Sequence, residues 1–282
     1  VYTWEDVPNE RFSNAGQTYP ETSPYDRLII DRHVRFVGDV VAIVAAETEE
    51  AAEKALGRIK VTYNVLEPVL DFRAAKDNPV LVHPEDNWHM LCDLGGDNAR
   101  NLVGGTADGD GNVEAVLADC DIVLERTYHT KAYNQAMMET FRTFTQLDRY
   151  GRLHVISSTQ IVFHVRRILS NALGIPKSRI RVEKPRIGGG FGAKQTAVCE
   201  VYPAFVTMKT GRPARVIKTR EEEFYDSHPT VEMQVKVTMA VDKEGHFLSR
   251  KTEYLGDVGA YAVAGTWVLG VAAYRADTTY KF

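Results

Sequence analysis

Hydrophobic and polar positions along this chain change period several times, and the changes mark out its elements. Residues 34–46 (VRFVGDVVAIVAA) are dense in β-branched side chains and read as a buried strand, with Gly38 a bulge or a point of close packing. Thr48 offers an N-cap oxygen to a helix over Glu49–Leu56, whose glutamates sit near its positive end, and Gly57 closes it. Residues 59–63 (IKVTY) then alternate as a strand, and residues 1–4 look like the end of another. Strand, helix, strand makes a small α/β unit, and nothing in it looks catalytic.

Residues 86–112 lack periodicity and end in GGTADGDGN, where four glycines favour turns over any packed element. This is the expected domain boundary. Beyond it, Asn112 can cap a short helix over 113–117, and residues 121–130 (DIVLERTYHT) alternate as a half-buried strand. Two strands over 141–148 and 152–157 are joined by RYG, a hairpin signal with Gly151 at the end of its turn. Residues 161–173 carry Val165, Ile168, Leu169 and Ala172 at helical spacing, and Gly174 with Pro176 stops them. A second helical pattern covers 194–209, but Pro203 lies inside it, so that helix is kinked or starts late. The final third reads as strands over 214–219, 231–240 and 246–254, with DKEG turning between the last two. After Asp257 the chain is rich in glycine and alanine and ends YRADTTYKF, with no capping helix expected. Both termini therefore read as cuts through a larger protein, or as one part of a split one.

Composition narrows the classes. The 282 residues are 44% hydrophobic and 26% charged, enough to bury a substantial core. A net charge of −4 with interspersed signs leaves no basic footprint for nucleic acid. The apolar run at 267–274 falls far short of the roughly 20 residues a membrane helix needs. The first residues carry no signal-peptide pattern, and three scattered cysteines (Cys92, Cys120, Cys199) suggest neither a disulfide framework nor a CxxC site. A cytoplasmic setting fits.

The candidate chemistry gathers at RIGGGFGAKQ, residues 186–195, where four glycines in five positions mark strained backbone or close approach to a ligand. An ordinary strand-to-helix turn is the plainer reading. A P-loop fails, because Lys194 is flanked by Ala193 and Gln195. Gly188, Gly190 and Ala193 do match GxGxxA, which keeps a nicotinamide dinucleotide in view, although the preceding RIRVEKPRI is too charged for the first strand of a doubly wound sheet. No HExxH or His/Cys cluster suggests a metal held by side chains, and no GxSxG surrounds a serine. Glu221, Glu222 and Glu223 cannot share one face and read as a solvated loop. Glu139 and Arg142 are three residues apart, and a buried structural salt bridge is the favoured account of them.

QAMMETFRTF at 135–144, VISSTQ at 155–160, LGIPKSRIRV at 173–182 and RIGGGFGAKQ, in that order and with Gln160 and Phe191 31 residues apart, resemble the molybdenum-binding subunit of the xanthine dehydrogenase and aldehyde oxidase family. The run VGDVVAIVAAET at 37–48 resembles the later part of that family's α/β hammerhead domain. The resemblance implies an α+β chain: a partial hammerhead over 1–85, a linker over 86–112, and the first part of a molybdopterin-binding α+β domain over 113–282. It implies that Gln160 hydrogen-bonds the oxo ligand of molybdenum and that Gly189, Gly190, Phe191 and Gly192 run beside the pterin. Gln160 and Phe191 would flank the metal without coordinating it, because a dithiolene holds it. Gln195 stands where the xanthine enzymes often carry a substrate-binding glutamate.

The family's substrate arginine, expected soon after a segment like Tyr274–Arg275, and its catalytic glutamate are not among these residues. The resemblance thus implies part of a hydroxylase that oxidises a heteroaromatic (xanthine-like) or aldehyde carbon with oxygen from water and is inert alone. Its pterin could carry a cytosine dinucleotide, and iron–sulfur and FAD centres are expected on partner chains. A non-catalytic binding or scaffold module is the alternative, and a neighbouring coding sequence with the two missing motifs would separate them.

Overall fold

A computed structural model describes residues 1–15, 18–276 and 280. The elements in chain order are α1 (Glu49–Leu56), α2 (Val113–Asp119), β1 (Ile122–Thr130), β2 (Arg142–Leu147), β3 (Leu153–Ser157), α3 (Val162–Leu173), β4 (Ile180–Glu183), α4 (Val201–Thr210), β5 (Ala214–Ile217), α5 (Arg220–Asp226), β6 (Glu232–Val241), β7 (Phe247–Asp257) and α6 (Gly265–Arg275). They form a mixed α and β fold with two open sheets. One sheet has the order β4-β3-β2-β5, antiparallel except for the β3–β4 pair, and the other is antiparallel in the order β1-β6-β7.

The four-stranded sheet carries the core. Leu153 and Val155 are buried on β3, and Val165, Ile168, Leu169 and Ala172 of α3, which packs on β4 and α4, are buried in the same cluster, as the helix's apolar spacing predicts. Each of the valine, leucine and isoleucine side chains contributes roughly 1.5–3 kcal/mol on full burial, and Ala172 less. Helix α4 is buried along most of its length, consistent with apolar residues all round it. It starts late, so that Pro203 falls in the first turn, where a missing N–H costs no hydrogen bond. Phe12, Ile29, Ile30 and Ile43 join the same core, so the N-terminal segment is packed into it.

Local signals succeed where the chain supplies its own partners. Thr48 Oγ1 accepts from Ala51 N–H and caps α1, and Asn112 Oδ1 accepts from Ala115 N–H and caps α2. At the β2–β3 turn Gly151 has φ 70°, and Asp148 Oδ1 accepts from the N–H groups of Tyr150 and Arg152. Gly38 is a point of close packing: a Cβ there would lie 2.4 Å from the Tyr225 carbonyl oxygen.

Five expectations are corrected. Residues 34–46 and 59–63 form no ladder among the described residues. The first makes only the isolated bridge Tyr2↔Ile43, and the second is largely exposed, because neither has a neighbouring strand to complete its hydrogen bonds. Strand β1 forms but is exposed along its whole length, being an edge with neither face covered by these residues. Glu221–Glu223 lie in α5 and not in a loop. The glycine- and alanine-rich end folds as α6, which packs on β7 so closely that a Cβ on Gly256 would overlap Leu269 Cδ1 at 2.4 Å. Residues 277–279, 281 and 282 of YRADTTYKF lie outside the described residues. No described helix is long and apolar enough to cross a membrane.

Candidate functional site

The glycine loop lies between β4 and a three-residue 3-10 turn, Ala193–Gln195, so no α-helix opens at its end as a dinucleotide fingerprint would need. The loop reverses through positive φ at Gly189 (93°), Phe191 (47°) and Gly192 (94°). At Phe191 this left-handed conformation costs on the order of 1–2 kcal/mol, and the ring is 74% exposed. Among the described residues, no atom beyond the chain neighbours of Gly192 lies within 4 Å of where its Cβ would be. The loop's outer side is open at that point.

Gln160 comes off the end of β3 and meets the loop from beneath. Its backbone N–H donates to the Lys194 carbonyl at 2.9 Å, and its side-chain Oε1 accepts from Gly192 N–H at 3.2 Å. That N–H can only donate, so the carboxamide oxygen must face it and the NH2 group must face away. Among the described residues the NH2 group has no protein acceptor. Gly190 lies against the same amide, and a Cβ there would sit 2.4 Å from Oε1. Gln195, in the 3-10 turn, is partly buried and donates its N–H to the Gly192 carbonyl at 3.0 Å.

Below the loop, Lys194 is fully buried, and its ammonium reaches Glu139 Oε2 at 2.9 Å and Ser158 Oγ at 2.6 Å. The same carboxylate oxygen accepts from Ser158 Oγ at 2.6 Å and from Gly188 N–H at 2.8 Å. Burial pushes the Glu139 carboxyl up, but the hydrogen bonds from Ser158, Gly188 and Lys194 outweigh it and hold it at about 2. The expected Glu139–Arg142 pair exists at 3.5 Å, with Arg142 nearly half exposed. It is a secondary contact, and the buried salt bridge is made to Lys194.

Helix α5 supports the segment from the other side. Arg220 donates to the carbonyls of Met137 and Met138 at 2.7 and 3.0 Å and to Glu223 Oε2 at 2.8 Å. Glu223 is fully buried, and burial pushes its carboxyl up against the opposing charge of Arg220. Sequence reasoning singled out Gln160 and the loop but missed Ser158, Lys194 and Glu223. The available signal was a lone lysine at the head of AKQTAVC, a run otherwise free of charge.

No group of three or more His, Cys, Asp or Glu side chains is placed to hold a metal ion among the described residues. What the site offers is an oriented amide donor beneath an open, backbone-walled loop.

Residues 96–282 match the family model described as the molybdopterin cofactor-binding domain, and residues 1–67 match that of the aldehyde oxidase and xanthine dehydrogenase a/b hammerhead domain. The chain is 35% identical to a probable hypoxanthine oxidase, XdhD, of Escherichia coli (strain K12), an alignment covering 93% of this chain and 30% of that protein. It is 32% identical to a putative xanthine dehydrogenase molybdenum-binding subunit, XdhA, of the same organism, over 94% of this chain and 34% of that one. Its fold is similar to that of the aldehyde oxidoreductase from Desulfovibrio gigas, with a TM-score of 0.76 at 21% identity, over 90% of this chain and 27% of the other. The chain thus spans about a third of the length of these proteins.

Proposed function

Because the chain belongs to the molybdopterin cofactor-binding domain family, we propose that it forms part of the molybdenum subunit of a hydroxylase acting on a heteroaromatic, xanthine-like carbon or an aldehyde carbon. The observation that carries this is the Gln160 carboxamide, whose oxygen is fixed by Gly192 N–H and whose NH2 group is left to donate outward. A molybdopterin cofactor, when bound, supplies a two-electron oxidation that places oxygen from water on the substrate carbon. The residues present fit such a group. Gln160 would donate to an oxygen on the metal, and Gly189, Gly190, Phe191 and Gly192 would lay backbone along the pterin. A fixed donor of this kind stabilises charge that develops on the oxygen and needs no reorganisation as it does so.

In this reading 1–85 is part of the hammerhead, 86–112 a linker and 113–282 the beginning of the cofactor domain. Gln195 contributes to substrate selection, where an amide replaces a carboxylate and so weakens a purine preference. The general base and the substrate arginine belong to the remaining two thirds of the subunit, and this chain is inert without them. Iron–sulfur and flavin centres on partner chains carry electrons away, in the cytoplasm.

Replacing Gln160 by Ala in the complete subunit tests the reading. Losing one preorganised donor is expected to lower the turnover number on the order of a hundredfold or more, with molybdenum retained and KM little changed. An undiminished turnover number at full molybdenum content refutes it.

A further inference from the structure

Lys194 stands where two sets of contacts cross. Through its ammonium it holds Glu139 Oε2 and Ser158 Oγ, and that same carboxylate oxygen holds Gly188 N–H, the entry to the glycine loop. Through its backbone carbonyl it accepts from Gln160 N–H at 2.9 Å and from Thr159 Oγ1 at 3.3 Å. The loop entry and the glutamine beneath the loop are therefore referred to one residue. A buried ammonium is costly to desolvate, and an apolar side chain of similar volume would fill the space without that cost. An apolar side chain would not hold a carboxylate against Gly188 N–H.

We propose that Lys194 is the positioning residue of the site: its ion pair with Glu139 locks the glycine loop and Gln160 in mutual register, so that the Gln160 NH2 group is presented at one fixed place. The lock is a property of this chain alone. Only what the NH2 group meets rests on the cofactor reading.

The test uses the complete molybdenum subunit, with Lys194→Met and Glu139→Gln made singly and together. Amide hydrogen exchange is followed in peptides covering 157–161 and 186–196, with 232–257 as an internal control. Each single variant is expected to speed exchange in both site peptides roughly tenfold or more while the β6–β7 control stays unchanged. The double variant should be no faster than the worse single one, since both remove the same lock. Turnover per bound molybdenum should fall with KM unchanged. Unaltered exchange in the two site peptides overturns the proposal, and so does faster exchange with unaltered turnover per molybdenum. If Lys194→Met also speeds the β6–β7 control, its fold is lost and Glu139→Gln, which keeps the side chain's size, decides by the same outcomes. Should the parent subunit hold no molybdenum, the cofactor reading fails, while exchange in the two peptides still decides the lock.

Discussion

At position 190 a single methyl group decides where the Gln160 carboxamide can sit. Gly190 has no positive φ, so alanine fits its backbone, but the new Cβ would lie 2.4 Å from Oε1 and 3.1 Å from Cγ of Gln160. The amide is the far end of a flexible side chain and will swing away, while the surrounding core is undisturbed. Gly190→Ala should therefore leave the melting temperature nearly unchanged and lower turnover about as much as Gln160→Ala does. A melt beside a turnover assay checks this, and intact turnover would show that Gly190 matters only as a spacer. Gly192 is constrained in another way. A Cβ there meets nothing among the described residues, so the case for glycine rests on φ 94° and on the open space above it. The loop and Gln160 were legible in the sequence because each lies in a short contiguous motif. Ser158 and Lys194 were not, because the first passes for a strand-end hydroxyl and the second for a surface cation until the fold brings them to Glu139.

Element by element, α5 is where reading and structure part most clearly. Three successive glutamates indeed cannot share a face, but at about 100° per residue they face three ways. Glu221 is exposed, Glu222 Oε2 accepts from Thr219 N–H at 2.7 Å while its own N–H donates to Thr219 Oγ1 at 3.1 Å, and Glu223 is buried against Arg220. This reciprocal capping box starts the helix that holds the Met137–Met138 segment. Thr219→Ala should cost about 1 kcal/mol of stability, read as a shift in the urea midpoint. No shift would mean that the Arg220 contacts alone hold α5. The β2–β3 hairpin and α3 were legible for the opposite reason: their turns, caps and apolar spacing are all local. A strand needs a partner as well as a pattern, and so residues 34–46 and 59–63 read as strands without forming a ladder.

Across the whole molecule, a buried polar seam joins the N-terminal segment to the region before α6. Asp26 Oδ2 accepts from Ala262 N–H at 2.8 Å, Tyr261 donates to Asp39 at 2.9 Å, and Arg35 pairs with Asp31 and Glu85. His83 lies in this seam with Nε2 2.7 Å from the Ala260 carbonyl, so that nitrogen carries the proton of the neutral ring. Burial, reinforced by Arg35, lowers its pKa from 6.5 to about 4. Glu85 Oε2, 3.3 Å from Nδ1, favours the charged ring, but Arg11 and Arg35 already hold that carboxylate. Between about pH 6.5 and 4 the folded protein thus binds fewer protons at His83 than the unfolded chain does. Its contribution is complete above that window and is lost as pH falls through it. The urea midpoint of the parent should drop more between pH 7 and about pH 4.5 than that of His83→Gln. Equal drops would place the acid sensitivity elsewhere. None of this seam was legible beforehand, because its partners lie far apart in the chain.

The same long separations govern the order in which the molecule comes together. The three donors on Glu139 Oε2 come from residues 19, 49 and 55 positions away. Closing such spans costs chain entropy that adjacent strand pairing does not, so the hairpin of β2 and β3 can assemble first and the glycine loop only afterwards. What is fastened last is also what a partial opening releases first. A nascent chain would then hold its β2–β3 hairpin before its loop, leaving an interval in which a bulky group could enter before Lys194 draws the wall shut.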